Sequence, residues 1–131
     1  MKTNTSLTVL LIVTLALAGG CAGRGNWKSK MAGTYKGFIH NGDEKHPSIT
    51  TIKLDGDKLS GKYELEVLGS KIDGELREFV LTGDREVRCG WIDYSQRTGD
   101  LEMTFSPDFS SFKGTWYDEG MTDGDPWTGK K

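Results

Sequence analysis

From Gly33 onward, polar side chains alternate with small or apolar ones at a period of two. Between residues 33 and 40 the polar positions are Thr34, Lys36 and His40, and residues 59–67 and 112–117 repeat the pattern. Such alternation is typical of half-buried strands, and no window of eleven residues has an apolar stripe with helical spacing. Between residues 77 and 94, one long bent strand fits as well as two shorter ones. The predicted strands lie near residues 32–40, 48–54, 58–67, 70–77, 79–87, 88–94, 99–105, 111–117 and 126–130.

Turn-forming residues separate these strands at positions 41–43, 55–57, 106–108 and 120–126. About one glycine falls in each strand, and glycine inside a strand marks a bend, a bulge or a close backbone approach. A sheet that closes into a barrel needs such bends, and closure also removes the two unpaired edges of an open sheet. We therefore predict an all-β fold for residues 32–131, an up-and-down antiparallel β-barrel of about eight strands, and favour it over a sandwich. The strand glycines are Gly33, Gly61, Gly74, Gly83, Gly99, Gly114 and Gly129.

The first twenty residues have a different character. Lys2 is their only charge, and the apolar run of twelve residues from Leu7 to Ala18 follows it. As a helix this run would measure about 18 Å, which is short of a hydrocarbon core of about 30 Å. A short positive start followed by a short apolar run is typical of a secretory signal segment.

The end of that run, Leu17-Ala18-Gly19-Gly20-Cys21, resembles the lipobox of bacterial lipoproteins. The resemblance implies that residues 1–20 are a signal peptide and that Cys21 becomes the mature, lipidated N-terminus, with palmitate as one such acyl group. Ala18 stands where the strongest form of the lipobox has a large aliphatic residue. An alternative is ordinary cleavage after Ala18, which would leave Cys21 as a plain thiol.

Charge is distributed unevenly along the chain. Residues 21–31 contain three basic and no acidic side chains, and we interpret them as a lipidated basic tether, either a solvated linker or a segment resting on anionic headgroups. Residues 32–131 contain 13 basic and 19 acidic side chains, which argues against nucleic acid as a partner. Residue 22, which follows Cys21, is Ala rather than Asp. By the sorting rule of bacterial lipoproteins, this favours an exported protein that is anchored to the outer membrane and faces the periplasm.

The chain has two cysteines, Cys21 and Cys89. If Cys21 carries lipid through its sulfur, no disulfide can form within the chain. Cys89 shares a strand face with Val87 and Trp91, and we predict that it is a small buried apolar residue. A reactive thiol is less favoured because no histidine is near it in sequence.

Three segments resemble strands of the avidin and streptavidin barrels: Leu54–Glu64, Phe79–Gly83 and Gly114-Thr115-Trp116-Tyr117. The resemblance implies a meander β-barrel fold. The biotin-binding residues are not present, because Gly33-Thr34-Tyr35 continues into Lys36-Gly37-Phe38 where the family has an Asn and a Ser. Leu65 also replaces a Ser of the family. A biotin ring would therefore leave polar groups unpaired.

Two polar clusters contain the residue types that bind metal ions. His40 and His46 flank Asp43 and Glu44, but their spacing matches no zinc pattern, and the acidic group in residues 118–125 lacks the spacing of a calcium loop. We interpret both as solvated loops and predict no metal site and no cofactor. No nucleophile, phosphate-loop or zinc-protease motif is present, so an enzyme is not predicted, although a carboxylate pair for glycoside hydrolysis stays open.

The aromatic residues carry the remaining hypothesis. We expect Tyr35, Tyr63, Trp91, Trp116 and Trp127 to point into the barrel or to cap its mouth. An eight-stranded barrel is either filled by side chains or holds one small ligand, so these rings either form the core or line an apolar ligand-binding cleft.

We expect Gly61, Gly90 and Gly114 to provide space beside those rings. The sequence thus predicts a membrane-anchored, monomeric lipoprotein with a barrel that serves as a binding or interaction module for a small apolar ligand or a protein. The alternatives are an accessory or inhibitor protein that acts through loops 41–47 or 118–126, and a small hydrolytic enzyme.

Overall fold

The computed structural model describes residues 26–131; the predictions made for the signal peptide and for Cys21 lie outside the described residues. Consecutive strands pair antiparallel, and the last strand pairs with the first, which closes the sheet. The predicted fold class, an all-β up-and-down antiparallel barrel of eight strands, is confirmed. The elements are α1 (Asn26–Met31), β1 (Gly33–Asn41), β2 (Glu44–Asp55), β3 (Lys58–Val67), β4 (Ser70–Leu81), β5 (Glu86–Asp93), β6 (Thr98–Phe105), β7 (Ser111–Asp118) and β8 (Asp125–Lys130).

The barrel has two different ends. At one end, here called the mouth, lie the connections at residues 42–43, 68–69, 94–97 and 119–124. At the opposite end, here called the closed end, lie helix α1 and the connections at residues 56–57, 82–85 and 106–110. Along each strand alternate residues face the interior, as the two-residue period predicted.

The boundaries predicted between residues 77 and 94 are wrong. Strand β4 continues to Leu81 through a β-bulge between Arg77 and Val80, where Glu78 has a φ of 58°. The chain then turns, and the amides of Thr82 and Gly83 both donate to the carbonyl of Glu86, at 2.8 and 3.3 Å. Because an inserted residue shifts the in/out alternation by one, the end of β4 has the pattern of a separate strand.

Helix α1 occupies the second half of the predicted tether. Met31 is completely buried, and the Tyr35 hydroxyl donates to the Met31 carbonyl at 2.7 Å. The Lys28 ammonium donates to the carbonyl of Asp57 at 2.6 Å, and Lys131 donates to the carbonyl of Lys30 at 2.9 Å. The folded unit therefore begins before residue 32. The sequence pattern does not predict this helix, because six residues are too few to show a periodic apolar stripe.

Among the described residues, no helix is long and apolar enough to cross a membrane.

The closed end contains a cluster of aromatic rings. Tyr35 makes edge contacts with Phe105 and Phe112, at ring-centroid distances of 5.9 and 5.3 Å, and Phe109 stacks on Phe105 at 5.4 Å. This end of the barrel is packed core.

Cys89 is 2% exposed, which confirms its predicted burial. Burial raises the pKa of its thiol to about 12.

Candidate functional site

The mouth of the barrel contains a cavity of about 260 Å³. Its walls are mostly aromatic and aliphatic, and polar side chains gather at its rim. The apolar lining consists of Ile39, Tyr63, Leu65, Val67, Ile72, Trp91, Trp116 and Trp127. The remaining lining residues are Asn41, Glu44, His46, Asp93, Tyr94, Ser95 and Arg97.

Four of the five aromatic residues proposed from sequence line this cavity. Trp127, Tyr63 and Trp91 are buried, at 2%, 5% and 5% exposure, whereas Trp116 is half-buried. The fifth, Tyr35, lies in the ring cluster of the closed end. The mouth rings therefore belong to the core and to the cavity wall at once.

Each mouth ring is fixed by a polar contact. The indole N–H of Trp91 donates to the carbonyl of Tyr117 at 3.0 Å, that of Trp116 donates to the carbonyl of His40 at 2.8 Å, and that of Trp127 donates to the hydroxyl of Thr50 at 3.0 Å. These bonds satisfy the polar end of each buried ring.

The rings also hold one another. Tyr63 and Trp127 make an edge contact at 4.8 Å, and Trp91 and Trp116 make another at 5.6 Å. The Tyr63 hydroxyl donates to the carbonyl of Ile92 at 3.4 Å, and burial raises its pKa well above the usual value. A wall held in this way is pre-formed, as small-ligand sites usually are.

Glycines opposite the rings make room for them. Tyr63 pairs across the sheet with Gly74, and a Cβ on Gly74 would overlap the tyrosine ring. Trp91 pairs with Gly99, where a Cβ would lie 2.6 Å from the indole. Only glycine lets a large ring lie against the neighbouring backbone at these positions.

The prediction that Gly61, Gly90 and Gly114 provide that space is wrong. The nearest neighbour of a Cβ on Gly61 would be Leu76, and a Cβ on Gly114 would meet the backbone oxygen of Glu102 at 2.8 Å. A Cβ on Gly90 would meet nothing closer than 3.7 Å.

Asp93 organises one side of the rim. Its carboxylate accepts hydrogen bonds from the amide and hydroxyl of Ser95, at 2.9 and 2.8 Å, and from the amide of Arg97 at 2.9 Å. Partial burial raises the pKa of this carboxyl, but the hydrogen bonds from Ser95 and Arg97 outweigh that effect and hold the pKa below its ordinary value. Asp93 is therefore ionised at neutral pH.

Arg97 bridges two carboxylates above an indole ring. Its Nη2 donates to Asp118 at 3.0 Å, and its Nε lies 3.7 Å from an oxygen of Asp93. The guanidinium carbon lies 5.8 Å from the Trp91 ring centroid, which is within cation–π distance. The cavity wall thus already holds one cation of the chain itself.

His46 and Glu44 line the opposite side and lie in a strand rather than in the predicted loop, although Glu44 is solvated as predicted, with its side chain 69% exposed. Strand β2 begins at Glu44, and the His46 side chain is only 14% exposed, with its Nε2 3.1 Å from the Glu44 carboxylate. His40 lies on the preceding strand, β1, and does not join them at the cavity wall. Within residues 26–131, no three His, Cys, Asp or Glu side chains are arranged to hold a metal ion.

The acidic group in residues 118–125 includes the exposed Glu119 and Asp123, in line with the predicted solvated loop, and it also contacts the rest of the mouth. Asp118 pairs with Arg97, and Glu119 accepts from the Thr98 hydroxyl at 3.0 Å. Asp125 accepts from the amide of Gly42 at 3.3 Å, which joins the last mouth connection to the first.

Ser48 lies on the inward face of β2, between His46 and Thr50. It is 5% exposed, and its hydroxyl has no hydrogen-bond partner among the residues that the structure describes. A buried hydroxyl without a partner costs about 1–3 kcal/mol. Ser48 therefore has unused hydrogen-bonding capacity on the inward face of β2.

Comparisons with other proteins do not assign this site. No protein family, no curated protein and no solved structure matches the chain. The eight-stranded antiparallel topology is consistent with an avidin-type barrel.

Sequence reasoning missed the polar rim, although one signal for it was present. Val87, Cys89, Trp91 and Asp93 alternate on one face, so Asp93 follows three inward residues in the same period. Its neighbours Ser95 and Arg97 then close a turn around the carboxylate. A charged residue that continues a buried face indicates the rim of a cavity, because the strand leaves the core there.

Proposed function

We propose that the chain is a membrane-anchored lipoprotein whose barrel binds a small, partly apolar, positively charged group in its mouth. The observation that carries the proposal is the pre-formed aromatic cavity with the carboxylates of Glu44 and Asp93 at its rim. Ligand sites are typically concave, mostly apolar and supplied with a few placed polar groups.

Charge favours a cation as the bound group. Arg97 over Trp91 indicates that the wall accepts a cation, and Glu44 and Asp93 are the acidic side chains of the lining. The surrounding hairpin segments contain nine acidic and three basic side chains, so their field attracts cations. These segments are residues 41–46, 66–73, 93–97 and 118–125.

Size limits what enters. Sites for drug-sized ligands usually measure about 300–1,000 Å³, and this cavity measures about 260 Å³. The group that enters is therefore small, either a free amine or the end of a larger molecule.

The position of the N-terminus supports the anchoring part of the proposal. Helix α1 begins at Asn26, five residues after Cys21, and lies at the closed end. A lipid on Cys21 would hold the closed end against the membrane and direct the mouth away from it. Multiple acyl chains contribute about 0.8 kcal/mol per buried CH₂ and suffice for stable anchoring.

Titration with three matched probes tests the binding site. Phenethylamine, 2-phenylethanol and 3-phenylpropionate have similar apolar bodies and are respectively cationic, neutral and anionic. We expect phenethylamine to change the tryptophan emission at the lowest concentration and 3-phenylpropionate to have no effect. Trp116→Leu should weaken the response, whereas Trp27→Phe, a change at the closed end, should leave it intact. Equal responses to all three probes would refute the charge argument.

A further inference from the structure

Three of the four mouth hairpins carry a large apolar side chain in water. Leu68 is fully exposed, and Tyr94 and Met121 are 71% and 59% exposed. Each lies in the connection between two strands rather than on a barrel wall. Single exposed apolar residues are ordinary, but these three lie in the connections around one cavity, so its rim carries apolar as well as polar side chains.

The backbone at Leu68 makes this residue unusual. Val67 pairs with Ser70, so Leu68 and Gly69 form a two-residue turn, with φ values of 52° and 81°. Turns with two positive φ values favour Asn-Gly, because leucine is strained in the left-handed region. Glu78, Gln96 and Phe109 also have positive φ values. The first two side chains are polar, and the Phe109 ring is buried against Phe105. Leu68 has no such packing to compensate for its conformation.

Leu68 is thus unfavourable both in conformation and in solvation. Strained backbone conformations and departures from local sequence preferences cluster at functional sites, such as ligand-binding and switch regions. Exposed apolar groups next to a pocket mark interaction surfaces.

We propose that the mouth is a docking surface for a basic protein, which covers Leu68, Tyr94 and Met121 and inserts a lysine or arginine side chain into the cavity. The insertion rests on the proposed function, since it requires the cavity to take a cation. The acidic mouth segments favour a basic partner. They disfavour an anionic membrane and a second copy of this chain, because both would bring like charges together.

Photo-crosslinking from the rim tests the docking surface. p-Benzoylphenylalanine is placed at Leu68 or Met121 of the full chain in its native host cells. Val80 is the matched control, since it is also 59% exposed but lies toward the closed end. We expect a protein adduct of one mass from both rim positions and not from Val80. A lipid adduct, an adduct between two copies, or no adduct beyond that of Val80 would overturn the proposal.

The crosslinked protein is then purified and its binding to the full chain measured. We expect Leu68→Asn to weaken binding by about tenfold or more, with no fall in the melting temperature because asparagine suits the turn. Val80→Asn should leave affinity unchanged, and added salt should weaken binding. An affinity unchanged by Leu68→Asn, or insensitive to salt, overturns the docking surface. The phenethylamine titration reports separately on the cavity, so docking can fail while the proposed function stands.

Discussion

Replacing Gly74 by alanine places a methyl group in the space that the Tyr63 ring occupies. The new Cβ would overlap the distal part of the ring. The backbone of β4 is paired on both sides, so the tyrosine has to move. It would then lose the hydrogen bond to Ile92 and the edge contact with Trp127.

The expected cost follows from these contacts. The hydrogen bond contributes about 1 kcal/mol, and the ring pair contributes about 0.5–1.5 kcal/mol. The displaced ring adds overpacking strain of about 1 kcal/mol, while alanine restricts the unfolded chain and returns about 0.5–1 kcal/mol. The net loss in the free energy of unfolding is about 2 kcal/mol, which for a domain of this size lowers the melting temperature by roughly 10 °C.

Gly90→Ala is the matched control. Gly90 is also a strand glycine, but its Cβ would meet nothing closer than 3.7 Å. We expect this variant to be as stable as the parent or about 0.5 kcal/mol more stable. Urea denaturation followed by circular dichroism measures both variants. If Gly74→Ala and Gly90→Ala unfold at the same urea concentration, the glycine–ring pairs do not shape the mouth as described.

Three further predictions concern the anchor, the rings and the buried thiol. Cys21→Ser should release the chain from membranes, and mass spectrometry should find acyl groups on Cys21; an unmodified chain that begins at Gly19 contradicts this. Trp127→Ala should lower the free energy of unfolding by about 3–5 kcal/mol, because this ring is buried. Trp116→Ala, at a half-buried ring, should lower it by about 2 kcal/mol and mainly weaken phenethylamine binding. Equal losses of stability in the two variants would refute this distinction. Burial raises the pKa of the Cys89 thiol from its ordinary value of 9.0 to about 12 in the folded state. The unfolded chain therefore loses this proton at lower pH, and the free energy of unfolding should fall as pH rises from 9 toward 12. Cys89→Ala should make the free energy of unfolding less dependent on pH in that range.

The barrel was predictable because its evidence is spread along the whole chain. Period-two alternation recurs in strand after strand, and glycines mark the bends of a closed sheet. The extra strand between residues 77 and 94 arose from the bulge near Glu78, where one residue changes which side chains face inward. Helix α1 was missed because its stability comes from the packing of Met31 and not from its own length.

The candidate site was predictable in part. Alternation places Tyr63, Trp91, Trp116 and Trp127 inside the barrel, but it does not show at which end a ring lies. It therefore does not separate Tyr35, at the closed end, from the rings of the mouth. The polar rim depends on contacts between distant hairpins, such as Arg97 with Asp118. Strand register and tilt set these contacts, and neither is readable from one chain.

The indole N–H resonances of the full chain, followed by NMR during titration with phenethylamine, test the central claim most directly. The chain has four tryptophans, three at the mouth and Trp27 in helix α1 at the closed end. The account predicts that the signals of Trp91, Trp116 and Trp127 shift together while that of Trp27 stays in place. Shifts of all four signals alike, or no shift at saturating probe, would contradict a cation-binding mouth.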